Sequence, residues 1–397
     1  MKRTGIFLIS LLLINLITSC EQNSNIVAEI ENLGNDTILI EYIPISSEMF
    51  EIEEPYRDTV VAKNGKFEYN ITTDKPTLVF ILPKKAEFIR LGGHPYHAQE
   101  KGITVIVKPE DRISIKGELN QYFTRYSAKG SAINDRYSTL RNSFIEEASE
   151  AVRIELLIDS LSHYGADRDL INDYFRKRNQ IMRIGRTAEL QYISDNLDDK
   201  LSAYLLTRQP IDTIGKYYAY LSAEVREGSF KPMLDFIFDQ YQRYTIATQQ
   251  ELTLKEGVKA PDFSLKSFTG EYVTLSSQKE KSQLIVLDFW GTWCPPCIAD
   301  IPKMKEYYER YKDQINFIGI ACRDNETNWI NAIEEHSLEW LQLFNSTDKE
   351  SDAAIKFGVK AYPTKFILDK DLKIVGRFVG AGNDFYEKID ELMEKIN

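Results

Sequence analysis

The stretch Leu284-Ile-Val-Leu-Asp288-Phe-Trp290-Gly-Thr-Trp293-Cys294-Pro295-Pro296-Cys297 decides the fold. From Leu284 to Trp290 it is apolar apart from Asp288. Such a run is too short for a buried helix and suits a central strand covered on both faces. Pro296 fits the first position of a following helix, where a missing N–H costs nothing, so Cys294 falls at a helix amino end. Unpaired backbone N–H groups there favour a thiolate. A Cys-x-x-Cys in this setting reads as a redox pair, with half of a zinc site or an inert structural disulfide as the other readings. A zinc site needs two more Cys or His at suitable spacing, whereas Cys322 and His336 stand apart.

Trp293-Cys294-Pro295-Pro296-Cys297 resembles the TlpA/ResA-like branch of the thioredoxin superfamily, extracytoplasmic thiol-disulfide oxidoreductases, and the resemblance covers about the last third of the chain. Asp288, six residues before Cys294, matches that family's buried carboxylate, and Pro302 matches the proline that kinks its active-site helix. Tyr362-Pro363-Thr364 resembles its cis-proline loop. Asp300, three residues after Cys297, stands where some ResA-like proteins carry a functional glutamate. The resemblance implies that Cys294, as the more exposed thiol, attacks a substrate disulfide and that Cys297 resolves the mixed disulfide. Asp288, with Asp300 as competitor, is the expected acceptor of the Cys297 proton. Trp293, Pro295, Pro296, Tyr362, Pro363 and Thr364 are the expected substrate-binding residues. No cofactor or metal is implied. The implied partners are disulfide-containing envelope proteins, such as apocytochrome c, and an integral membrane electron donor.

At the amino end, Lys2 and Arg3 precede an apolar run over residues 6–17, too short to span a bilayer of roughly 30 Å and readable as a secretory signal. Leu16-Ile17-Thr18-Ser19-Cys20 resembles the lipobox of bacterial lipoproteins, which implies cleavage before Cys20, lipidation of Cys20 and a lipid-anchored place on the periplasmic side of the cell envelope. Without residues 1–19, 47 basic face 60 acidic side chains, a formal charge of −13. No dense Lys/Arg run offsets it, so nucleic acid is excluded as a partner and membrane attachment falls to lipid.

The expected organisation is a signal peptide at 1–19, a lipidated tether at 20–25, an all-β sandwich-like domain at 26–117, a helical region at 118–255 and an α/β thioredoxin-like domain at 256–397. The β region shows short β-prone runs divided by turn signals, with Asn64-Gly65 predicting a hairpin between Thr59-Val-Val-Ala and Phe67-Glu-Tyr-Asn-Ile. Its layout and its Asn-Gly-Lys-Phe turn resemble the amino-terminal β domain often fused to TlpA-like domains. His94 and His97 form a tempting metal pair but read better as part of a loop. In the helical region apolar residues recur at three and four, as in Ile154, Leu157, Ile158 and Leu161, and Gly165, Gly185, Pro210 and Gly228 punctuate it. After residue 256 strands and helices alternate, predicting a mixed sheet with helices on both faces.

Two other classes remain. A thiol peroxidase would share the Ala260-Pro-Asp-Phe-Ser-Leu opening, but its pattern wants Thr or Ser three residues before the cysteine, where Gly291 stands. A binding lipoprotein with a relic redox domain is the other, against which the retention of both cysteines and Asp288 weighs. Cys322 reads as a small apolar group ending a buried strand.

Overall fold

The computed structural model describes residues 24–50, 55–279 and 281–396. The signal expected over residues 1–19 and the lipidation expected at Cys20 lie outside the described residues. Two compact units form, one of the described residues up to Gln209 with Tyr217–Leu234, the other of Pro210–Lys216 with the described residues from Asp235 onward.

The first unit opens with β1 (Ile26–Glu31), β2 (Thr37–Pro44), β3 (Tyr56–Val61), β4 (Lys66–Tyr69), β5 (Thr77–Pro83), the short pair β6 (Glu87–Ile89) and β7 (Pro95–His97), β8 (Ile103–Val107), β9 (Ile113–Leu119) and β10 (Thr124–Lys129). Two four-stranded sheets, in orders β10-β9-β1-β4 and β3-β2-β5-β8, enclose one apolar core. Alternate residues such as Ile26, Ala28 and Ile30 from one sheet meet Ile38, Ile40, Val79 and Ile81 from the other, giving the expected sandwich. Strand β10 lies past residue 117, where the sequence pattern ends the β region. Its inward residues Thr124, Tyr126 and Ala128 alternate correctly, but two of them are small or polar and hide the period. The Asn64-Gly65 turn forms with both φ angles positive, 50° and 80°. The hairpin does not extend beyond it, because β3 pairs with β2 and β4 with β1, so the turn passes the chain from one sheet to the other.

Helices α1 (Ala132–Asn142), α2 (Ile145–His163), α3 (Arg168–Asp195), α4 (Lys200–Leu206), α5 (Ile211–Tyr218), α6 (Ala223–Arg226) and α7 (Lys231–Thr253) follow. Gly165 ends α2 at φ 67°, as expected of a left-handed helix stop. Gly185 does not break the chain. It lies inside α3, where a Cβ would come within 3.0 Å of the Phe144 ring, so its smallness serves packing.

The second unit holds β11 (Ser264–Ser267), β12 (Tyr272–Thr274), β13 (Leu284–Trp290), α8 (Pro295–Tyr311), β14 (Ile315–Ala321), α9 (Glu326–His336), β15 (Leu341–Phe344), α10 (Ala353–Lys356), β16 (Thr364–Asp369), β17 (Ile374–Val379) and α11 (Asp384–Ile396). Its sheet runs β12-β11-β15-β14-β13-β16-β17, with β13 parallel to β14 and antiparallel to β16. This is the mixed sheet expected from the sequence. Leu284, Val286 and Trp290 face the core shared with α8, α9 and α11, while Ile285, Leu287 and Phe289 face the opposite core with Phe357 and Phe366. Although the pattern groups α7 with the helical region, its residues from Asp235 onward belong to this unit. Arg243 bonds Asp352 at 3.0 Å and Glu251 bonds Arg377 at 2.7 Å.

Candidate functional site

Strand β13 delivers the chain to α8 through Gly291-Thr292-Trp293, and Cys294 caps the helix. Helix α8 begins at Pro295, one residue before the expected start, so both prolines occupy its first turn, where neither needs an N–H partner. Cys294 and Cys297 are joined in a disulfide, and the Cys297 N–H donates to Cys294 Sγ at 3.3 Å. Cys294 is not the more exposed of the two here. In the bonded pair both sulfurs join the apolar cluster with Trp290 and Ile301, and the residues are 3% and 4% exposed. Trp293, Pro295 and Pro296 form the solvent-facing surface around them. Pro302 lies inside α8.

The Tyr362–Pro363 peptide is cis. Tyr362 stands edge-on to Trp293 with ring centroids 5.3 Å apart, which joins the Tyr-Pro-Thr loop to the Cys-x-x-Cys turn. Trp293 is fixed by its Nε1–H, which donates to the Cys322 carbonyl at 3.0 Å. Gly291 makes this possible, because a Cβ there would fall 2.6 Å from Trp293 Nε1. Thr364 is buried, and its hydroxyl donates to the Ala361 carbonyl at 2.7 Å, closing the loop rather than facing outward.

Behind Cys297 the two candidate carboxylates meet on one cation. Asp288 lies directly opposite Lys365 in the β13–β16 ladder, and Asp300 reaches the same ammonium from α8. Lys365 Nζ is 3.1 Å from Asp288 Oδ1 and 2.8 Å from Asp300 Oδ2, and its side chain is 2% exposed. Burial pushes the Asp288 carboxyl above the usual carboxylate range, the Lys365 charge pulls it back, and the Asp300 charge pushes it further up. Burial alone would lower the Lys365 pKa, but the two carboxylates outweigh it and hold the ammonium charged, above the usual lysine range. Asp288, Asp300 and Cys297 share the wall of a cavity of about 10 Å³ with Trp290, Met304 and Trp340.

The AhpC/TSA family pattern matches residues 257–377. A thiol-disulfide oxidoreductase ResA of Bacillus thuringiensis subsp. konkukian is 30% identical over 160 residues, covering 40% of this chain and 87% of that protein. A thioredoxin-like protein YneN of Bacillus subtilis is 31% identical over 133 residues, covering 33% of this chain and 73% of that protein. This chain belongs to the ResA-like thiol-disulfide oxidoreductases. Among solved structures, a thiol-disulfide oxidoreductase from Bacteroides fragilis is 28% identical, covers 34% of this chain and 99% of its own, and superposes with a TM-score of 0.32.

In this oxidoreductase Lys365 is the residue that sequence reasoning missed. A lysine in the otherwise apolar run Thr364-Lys-Phe-Ile-Leu368 was the available signal, since an unpaired charge is not tolerated inside a central strand. Cys322 is fully buried, its Sγ–H donates to the Ile320 carbonyl at 3.4 Å, and burial pushes its thiol well above the ordinary range. His97 lies on β7, 3.2 Å from Glu87, and among the described residues no three His, Cys, Asp or Glu side chains converge as a metal site. Among them, too, no helix is long and apolar enough to cross a membrane.

Proposed function

We propose that this oxidoreductase reduces disulfides of cell-envelope proteins from a lipid anchor at Cys20. The Cys294 thiolate attacks one sulfur of a substrate disulfide, forming the mixed disulfide and releasing the first substrate thiolate. Cys297 then loses its proton to the Asp288 carboxylate, attacks Cys294 Sγ and releases the second substrate thiolate. Two electrons pass to the substrate, and the Cys294–Cys297 disulfide remains for a membrane-embedded dithiol donor to reduce. Trp293, Pro295, Pro296 and the Tyr362-Pro363 loop border the extended substrate segment, whose backbone would add to that loop as a strand.

The observation that carries the reducing direction is the charge behind Cys297. Two carboxyl groups share one ammonium there, and with both ionised, as a proton acceptor for Cys297 requires, they leave a net negative charge against the pair. That charge disfavours a thiolate, and with it the reduced form, so the disulfide is the preferred state and the dithiol gives electrons away. Equilibration of the chain lacking residues 1–20 against glutathione buffers tests this. A potential near about −270 mV is expected, and one near about −120 mV would make the protein a disulfide donor. Replacing Cys20 by Ala should move the protein from the membrane to the soluble envelope fraction, and retention in the membrane would sink the anchor. Apocytochrome c is the substrate to try first.

The AhpC/TSA match keeps a thiol peroxidase as the second reading. A threonine at position 291 would collide with Trp293 and the Cys322 carbonyl, which weighs against it. Peroxide consumption by the reduced protein at a rate comparable with disulfide reduction would restore it.

A further inference from the structure

Tyr362 also lines a groove of about 200 Å³ in the second unit. Its lining includes Arg243 and Tyr244 of α7, Arg323 and Asp324 after β14, and Lys360 and Tyr362. The α7 wall is firmly held. Arg243 bonds Asp352 at 3.0 Å and the Thr347 carbonyl at 2.6 Å, and Glu251 bonds Lys360 at 2.5 Å. Gly358 allows the close approach, since a Cβ there would lie 2.6 Å from the Glu251 backbone nitrogen.

The cations of this groove are paired with carboxylates except at one place. Arg243 and Lys360 are neutralised by the partners just named. Asp324 accepts from the Thr292 N–H and hydroxyl, both at 2.7 Å, and from the Asn325 N–H at 3.1 Å. Arg323 has no carboxylate within 4.0 Å among the described residues. It is exposed, and its guanidinium lies 5.9 Å from the centre of the Tyr362 ring, the ring that meets Trp293 on the disulfide side. Its backbone is left-handed at φ 53°, a conformation that glycine or asparagine adopts more easily than arginine. Such departures gather at functional sites.

We infer that Arg323 selects, within the proposed disulfide reduction, polypeptide substrates carrying an acidic side chain close to the reacting cystine. The Trp293 and Tyr362 ring centres are 5.3 Å apart and the Arg323 guanidinium is 5.9 Å from the Tyr362 ring, intervals that an extended chain spans in about three residues. On a chain of net charge −11, whose long-range field repels acidic partners, an unmatched guanidinium at this distance marks where a carboxylate is accepted. The same chemistry would attract a free carboxylate or phosphate, so the test uses the acid within a peptide and adds acetate as a competitor.

Two peptides, each with one internal disulfide, carry Glu or Gln three residues from a cysteine, and their single-turnover reduction by the dithiol protein is compared. The Glu peptide should be reduced about two- to fivefold faster, the range of an exposed ion pair. That preference should fade between about 0.05 and about 1 M salt. It should vanish in Arg323→Asn, chosen because asparagine tolerates the left-handed backbone, and persist in Arg323→Lys. Loss of the preference in millimolar acetate would assign the site to small anions and overturn a peptide role. Equal rates for the two peptides in the parent protein, or an unchanged ratio in Arg323→Asn, would overturn the inference while leaving disulfide reduction intact. Reduction of neither peptide would instead bring down the redox reading on which it rests.

Discussion

The two faces of strand β13 differ by one residue type. Ile285, Leu287 and Phe289 enter a core of purely apolar contacts, whereas Leu284, Val286 and Trp290 share their face with Asp288, two cysteines and a buried lysine. Both faces give the sheet its stability by burial, but only one holds charge in a low-dielectric setting, where it costs the most and does the most. The difference teaches that the proposed chemistry is confined to a single departure from the apolar pattern, kept tolerable by Lys365 from the neighbouring strand.

Replacing the charge should break the comparison most severely. In Asp288→Asn, resolution of the mixed disulfide is expected to slow by about 10²- to 10⁴-fold, the usual worth of a positioned general base, with the first attack by Cys294 much less affected. Single-turnover trapping of the mixed disulfide measures both steps. A full loss in Asp300→Asn with none in Asp288→Asn would exchange the roles of the two acids.

Lys365→Met should cost about 3 kcal/mol of stability at neutral pH, because it leaves two carboxylates buried without a cation. The sign with pH follows from Asp288. Its folded pKa is already raised, and removing Lys365 raises it further, so the deficit is small below the unfolded carboxylate range and grows as pH rises through the folded value. Denaturant unfolding at acid and neutral pH would show the deficit widening, and a deficit independent of pH would point to packing alone.

The apolar face offers the milder control. Ile285→Val should cost about 1 kcal/mol by denaturant unfolding and leave the pH profile of exchange where it was. Smallest of all, Cys322→Ser should leave the potential unaltered, since that thiol packs in the core on the opposite face of the sheet from the two cysteines and has its own carbonyl partner.

Much of this face was legible in the sequence because local rules govern it. An apolar strand, a helix start at paired prolines and a Tyr-Pro loop each announce themselves in a few neighbouring residues, and Asp288 stands out by its polarity. Lys365 did not announce its partners, because Asp288 and Lys365 become neighbours only through the antiparallel register of β13 and β16. The two sheets of the sandwich raised the same difficulty. Asn64-Gly65 specifies a turn, but which sheet each flanking strand joins is decided by long-range pairing. Gly185 and α7 followed tertiary contacts, a ring needing space and a set of ion pairs, that no local period encodes.

The most direct measurement is the pH dependence of mixed-disulfide resolution in Lys365→Met and in Asp300→Asn, each against the parent protein. Lys365 lowers the pKa of the proposed base and Asp300 raises it. The rising limb of rate against pH should therefore move to higher pH in the first variant and to lower pH in the second. Limbs that stay in place, or that move in the same direction, would contradict a shared base held by Lys365 behind Cys297.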